Sequence, residues 1–259
     1  MLLFRRIALS ALLVGTLAGL LLSVVQRWQV IPIIEAAERY EQARAPAAAE
    51  PPREVTAAQQ DKGHAHGAEA WEPADGLERI GLTVLSNVLL AIGFAFVIVA
   101  AMATLLWRNS MTGRNSATKL DWRYGLLWGL AGYGVFFVAP AIGLAPAIPG
   151  TESAPVEARQ LWWTFTVICT AAGLAVAAFG KAPWRWAGLL LLVAPYLVGA
   201  PHLDTDPFPG FPANVVAELN ELSRQFIWAT AIANGVFWLV LGGLAGWATH
   251  RNVEKTLLD

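Results

Sequence analysis

Six runs of apolar residues divide the chain, each bounded by charged or turn-forming residues. They cover 7–25, 80–107, 124–144, 161–180, 184–199 and 226–249. A helix needs about 20 apolar residues to cross a hydrocarbon core of about 30 Å. The runs meet or approach that length, so the pattern predicts an all-α, polytopic membrane protein. The expected architecture is six transmembrane helices in a single membrane domain. The fifth run is the shortest and contains Pro195; the third is interrupted by Pro140. Each proline removes an N–H and predicts a kink, with freed carbonyls that need partners. Both lie toward the same ends of the bundle, near Pro201-His202, and predict a vestibule there.

Tryptophan and glycine sharpen the picture. Trp28, Trp71, Trp107, Trp122, Trp162, Trp163, Trp184, Trp186 and Trp247 stand at or near the predicted ends. An indole suits that depth because its ring is apolar while its N–H wants water or headgroups. Trp128, Trp228 and Trp238 fall deeper and are expected to pack. Gly125, Gly129 and Gly132 form a small-residue face on the third span, and Gly242, Gly243 and Gly246 form one on the sixth. Such faces let helix backbones approach closely in lipid.

The first run follows Arg5 and Arg6, as a secretory signal would. Its apolar part is long for a signal, however, and the first Ala-x-Ala, Ala43-Arg44-Ala45, lies far downstream. An uncleaved span is the expectation. The only long connection, about 26–79, then opens with a helical extension through Arg39. A flexible loop over 43–70, rich in Ala, Pro and Glu, follows.

Charge assigns the faces. One alternating set of connections and ends holds Arg5, Arg6, Arg108, Arg114, Lys119, Arg123, Lys181, Arg185, Arg251 and Lys255, with only Asp121, Glu254 and Asp259 as acids. The other short connections hold Arg159 and Arg224 against Glu152, Glu157, Asp204, Asp206, Glu218 and Glu221. Cytoplasmic loops carry the excess of Lys and Arg. The prediction is therefore both termini in the cytoplasm and the long first loop outside.

Composition agrees and excludes. Of 259 residues, 14% are charged and 56% hydrophobic, against about 25% charged in soluble domains. A net charge of -1 leaves no basic footprint for nucleic acid. The single cysteine rules out a disulfide framework or a cysteine-built zinc site within one chain. There is no phosphate-binding loop for ATP, no zinc-protease helix, no nucleophile elbow and no central histidine for haem. No catalytic constellation remains, so an enzyme is not expected. Nor is a permanently bound cofactor.

What remains is metal-ligating chemistry on the outward side. His64 and His66 form a His-x-His pair with Glu69 close behind, and His202, Asp204 and Asp206 share a later loop on the same face. Imidazole binds borderline divalent ions such as Co²⁺, Ni²⁺ and Zn²⁺. These six residues are candidate metal ligands; the other reading is a solvated polar linker. Within the spans no central residue is charged. Asn87, Cys169 and Asn234 either line a cation path or serve packing, the asparagines through hydrogen bonds between helices.

Several segments, taken in order, resemble a known family. They are Gly63-His64-Ala65-His66 leading to Glu72-Pro73-Ala74-Asp75-Gly76, then Tyr124-Gly125-Leu126-Leu127-Trp128-Gly129. Ala158-Arg159-Gln160-Leu161-Trp162-Trp163, Ala200-Pro201-His202 and Asn234-Gly235-Val236-Phe237-Trp238 follow. Together they resemble the probable cobalt transporter (CbtA) family over nearly the whole chain. The resemblance implies a bacterial inner-membrane protein of cobalt uptake, associated with cobalamin synthesis. It also implies a small, single-span, His-containing partner (CbtB-like), with lipid around both. Co²⁺ would be cargo; Ni²⁺ suits the same ligands. A non-transporting membrane scaffold is the alternative reading.

Overall fold

The computed structural model describes residues 2–44, 73–74, 76–111, 121–181 and 183–254. Among them there are helices and connecting segments and no strand. The first apolar run is α1 (Leu2–Gln29), and a turn at Val30 separates it from α2 (Ile31–Arg44). Pro32 makes that break. It has no N–H to offer the carbonyl four residues back, but in the first turn of a new helix that donor is not needed. The second run is α3 (Leu77–Met111).

The third run is continuous but not uniform. It comprises α4 (Trp122–Tyr133), a π-helical stretch over Gly134–Val138, and α5 (Ala139–Gly143). Asp121 starts it, its carboxylate accepting from the N–H groups of Arg123 and Tyr124. The Ala139 N–H reaches back five residues to the Gly134 carbonyl. This wider turn sits directly before Pro140, whose ring would clash with a carbonyl in a regular helix. Then follow α6 (Val156–Phe179), α7 (Arg185–Val198) and α8 (Ala213–Ala248), which ends in a second π-helical stretch, Thr249–Glu254.

The expected six spans are matched in part. Among the described residues five helical segments are long and apolar enough to cross a membrane. The predicted fifth span is α7, an apolar helix of 14 residues. At about 1.5 Å per residue it is roughly 21 Å long, short of the hydrocarbon thickness. A turn at Pro183–Trp184 begins it, and Gly199 ends it at φ +83°, in the left-handed region that glycine tolerates.

Glycine joins the helices in pairs. In lipid there is no hydrophobic drive between helices, so close packing must hold them. A Cβ on Gly125 of α4 would lie 2.2 Å from the Gly242 carbonyl oxygen of α8, and one on Gly246 would lie 2.8 Å from Gly125 Cα. The two predicted glycine faces are thus one shared seam. Gly15 and Gly19 of α1 meet the α3 backbone at Ile92 and Val88, and Gly173 of α6 meets Gly188 of α7 in the same manner. The main core lies among α1, α3 and α8, around Val14, Met102, Phe237 and Leu241. Trp238 packs between Phe94 and Phe136, with ring centroids at 4.8 and 5.4 Å.

Two tryptophan expectations are corrected. Trp228 does not pack inside; it is 70% exposed on the outer surface of α8. Trp162 is not an interfacial anchor but is buried, and its indole N–H donates to the Pro195 carbonyl at 3.2 Å. Tyr196 in turn donates to the Ala139 carbonyl at 2.8 Å. The Pro195 carbonyl also accepts from the Gly199 N–H, so the indole adds a second bond to it beside the proline.

The helix ends gather on two faces. On one, Arg6 donates to the Asn252 carbonyl and Asn252 to Ser10, so the start of α1 meets the end of α8. Asp121, at the start of α4, lies against Gly246 there. On the other face α2 lies against the first turns of α8, burying Ala37, Ile148, Phe208 and Leu219 together. The Glu152 N–H donates to the Pro207 carbonyl and ties the two loops of this cap. Of the basic set, the start of α1, the start of α4 and the end of α8 thus lie together.

Candidate functional site on the acidic face

Two of the depressions on the cap hold polar residues of interest. The first, about 540 Å³, lies between α2, the start of α3 and the end of α1. Gln26, Arg27, Ile31, Ile34, Glu35, Glu38, Arg79, Thr83 and Asn87 line it. The second, about 970 Å³, lies among the α5–α6 loop, α6 and the α7–α8 loop, with Glu152, Arg159, Thr164, His202 and Thr205 in its walls. It occupies the place where the two prolines predict a vestibule.

Asn87 is a buried member of the first depression's lining. Ser23 donates its hydroxyl to the Gly19 carbonyl at 3.0 Å, so its oxygen accepts from Asn87 Nδ2, also at 3.0 Å. Gln26 Oε1 accepts from the same nitrogen at 2.7 Å. Both amide hydrogens are thereby donated across the α1–α3 contact. Nearer the rim Glu38 accepts from Arg79 through both carboxylate oxygens, and Glu35 accepts from Arg27 at 3.3 Å. The two acids are thus matched by two guanidinium groups. Tyr40 on α2 donates to Glu218 on α8. That carboxylate acceptor, aided by burial, raises the Tyr40 hydroxyl above its ordinary pKa.

The candidate ligands are dispersed. His64, His66 and Glu69 lie outside the described residues. His202 is exposed and contributes to the rim of the second depression. Asp204 is exposed, and Asp206 accepts from the Phe208 N–H at 3.0 Å, a local turn bond that occupies one of its oxygens. Among the described residues no three His, Cys, Asp or Glu side chains converge on a metal position.

The three pathway candidates also keep separate company. Asn87 belongs to the α1–α3 pair. Cys169 is buried on the α6 stripe with Trp162, Thr166 and Gly173, the stripe that meets α7. Asn234 donates to the Thr230 carbonyl in its own helix at 2.9 Å.

Sequence reading missed Ser23, Gln26, Glu35 and Glu38. A signal was present: Ile31, Ile34, Glu35 and Glu38 follow the spacing of one helical face, and all four line the cavity. The amphipathic start of α8 was legible in the same way from Val215, Val216, Leu219 and Leu222.

Several long apolar helices, charges confined to their ends and polar depressions on one face define a multi-pass helical membrane protein. The chain belongs to the CbtA family, described as "Probable cobalt transporter subunit (CbtA)", which it matches over residues 4–250. Membership supports a role in cobalt transport, and the word subunit implies a partner in a complex. Neither a curated relative nor a solved structure matches the chain.

Proposed function

We propose that this chain is the multi-pass subunit of a divalent metal uptake system in a bacterial inner membrane, with Co²⁺ as cargo. The observation that carries the reading is the family match over residues 4–250. The sorting of acidic and cationic connections into two alternating sets along the chain supports its direction. By the excess of Lys and Arg on cytoplasmic sides, the acidic cap faces outward and both termini face the cytoplasm. In this arrangement α7 completes a sixth, short crossing, with the bilayer thinning or its flanks snorkelling to compensate.

His64, His66, Glu69, His202, Asp204 and Asp206 gather the cation from outside, the exposed His202 being held at the mouth of the larger depression. The two asparagines and Cys169 are the neutral groups available deeper in. The sequence has no phosphate-binding loop, so energy comes from the membrane potential or from a partner. An inward-negative potential favours entry of a dication by about 4.6 kcal/mol per 100 mV. A small single-span protein carrying further histidines fits the role of partner. Ni²⁺ would suit the same ligand types.

The test is Co²⁺ and Ni²⁺ accumulation in cells expressing this chain alone and with the small partner. Accumulation that depends on the chain, and falls when His64, His66 and His202 are all changed to Ala, is the expected result. Stable complex formation with no metal flux in vesicles would make the chain a scaffold instead.

A further inference from the structure

We infer that the second depression is a phospholipid headgroup site, in which Arg159 takes the phosphodiester and Glu152 the ammonium of a zwitterionic lipid such as phosphatidylethanolamine. The site goes beyond the transport reading and stands without it.

Arg159 carries an unsatisfied donor. Its Nε is buried and donates to nothing. Among the described residues no carboxylate pairs with this guanidinium. A buried donor of a charged group is costly to leave so, and is normally satisfied by water, an ion or a ligand. Arg159 stands in the first turn of α6, at the end of an apolar helix, and lines the second depression. Glu152 belongs to the same lining. Among the described residues its carboxylate also has no cationic partner; it accepts from the Thr205 hydroxyl at 3.5 Å, the limit of a hydrogen bond. One depression of about 970 Å³ thus holds a cation and an anion that do not pair with each other.

Two separate, opposite charges in one wall match a zwitterion. A simple anion drawn to Arg159 is repelled by Glu152, and a simple cation drawn to Glu152 is repelled by Arg159. A headgroup with both a phosphate and an ammonium satisfies the two together. The guanidinium fork fits phosphate oxygens in pairs. Rotation about the last side-chain torsions brings the Nε–H edge of Arg159 to that phosphate. The depression also continues onto the surface that faces lipid. Ile142 and Trp163 line it and are 70% and 41% exposed, although both belong to helices long and apolar enough to span. Their side chains offer a bed for acyl chains, and an indole at this depth belongs at the headgroup level. His202 and Thr205 line the same depression from the α7–α8 loop. A lipid seated here has its chains against Ile142 and Trp163 and its headgroup between Arg159 and Glu152.

The experiment is native mass spectrometry of the purified full chain in detergent, titrated with phosphatidylethanolamine, with phosphatidylglycerol and with inorganic phosphate. The unaltered chain is expected to retain phosphatidylethanolamine in preference to the other two. Arg159→Gln should weaken that binding by about tenfold, because a charge-assisted bond is lost. Glu152→Gln should abolish the preference for phosphatidylethanolamine over phosphatidylglycerol. This ratio within one variant decides the matter should Arg159→Gln fold poorly. Arg224→Gln, at an exposed pair with Glu221, should leave retention unchanged. Equal phosphatidylethanolamine affinity in the unaltered chain and Arg159→Gln overturns the proposal. So does equal affinity of the unaltered chain for the two lipids. Inorganic phosphate bound as tightly as lipid would make this a site for the free anion and overturn the lipid assignment. A co-purifying protein lost in Arg159→Gln while lipid is retained would give the guanidinium to a partner's carboxylate, and overturns it equally.

Discussion

Gly125 and Gly242 face each other so closely that a Cβ on either would lie within 2.4 Å of the other's carbonyl oxygen. The contact is backbone to backbone, so no side chain can move aside. Gly125→Ala or Gly242→Ala must push α4 and α8 apart, at a cost of about 1–3 kcal/mol. Thermal unfolding in detergent should show a clearly lowered midpoint for both. Gly93, on the open side of α3 with nothing within 4 Å, is the control. Gly93→Ala should leave the midpoint unchanged or raise it, since alanine favours a helix by up to about 1 kcal/mol.

Two side-chain bonds tie α7 to its neighbours, one to α6 and one to α5. Trp162→Phe keeps the ring contact with Tyr196 but removes the donor to the Pro195 carbonyl. Tyr196→Phe removes the donor to the Ala139 carbonyl. Each should destabilise by about 0.5–1.5 kcal/mol. Because the two rings touch, the double variant should depart from additivity. Strict additivity in the unfolding midpoints would mean that the two bonds act independently.

Tyr40 and Glu218 supply a pH-dependent tie between α2 and α8. The hydrogen bond to Glu218, followed by burial, raises the Tyr40 pKa above its ordinary 10.0. A raised folded-state value means that the protonated phenol is the stabilising form. Its contribution is complete below the ordinary value and disappears as pH rises through the folded one. The unaltered chain should therefore exceed Tyr40→Phe in stability at neutral pH. The difference should shrink at strongly alkaline pH. A difference that grows with pH would contradict the assignment.

Orientation can be tested through the single cysteine. Cys169 is buried, so Cys169→Ser should provide a silent background. A cysteine placed at His202 should react with a membrane-impermeant maleimide added to intact cells. One placed at Arg251 should react only after the membrane is opened. Labelling in the opposite order would invert the proposed topology.

Much was legible along the chain because lipid imposes one-dimensional rules. Apolar length, terminal Trp and the placement of Arg and Lys identified the helices and sorted their ends into two sets. The glycine spacing announced contact faces. None of these patterns could say that the faces of α4 and α8 meet each other, since any small-residue face can pair with another. Nor could they reveal that Trp162 turns inward to a proline-broken helix while Trp228 points outward. Both choices depend on which neighbour occupies the adjoining space.

The polar site shows the same division. Asn87 was noticed because an amide within an apolar run is conspicuous. Glu35 and Glu38 drew no attention, because acids in an outward connection look solvated. Only the folding of α2 back across the bundle, started at Pro32 and held by Ala37 against Leu219, places those carboxylates around the Asn87 cavity. Hydropathy acts through the local environment of each residue, so sequence alone determined where the apolar helices lie along the chain. Which side chains share a cavity depends on contacts between distant segments, and that was decided by the tertiary structure.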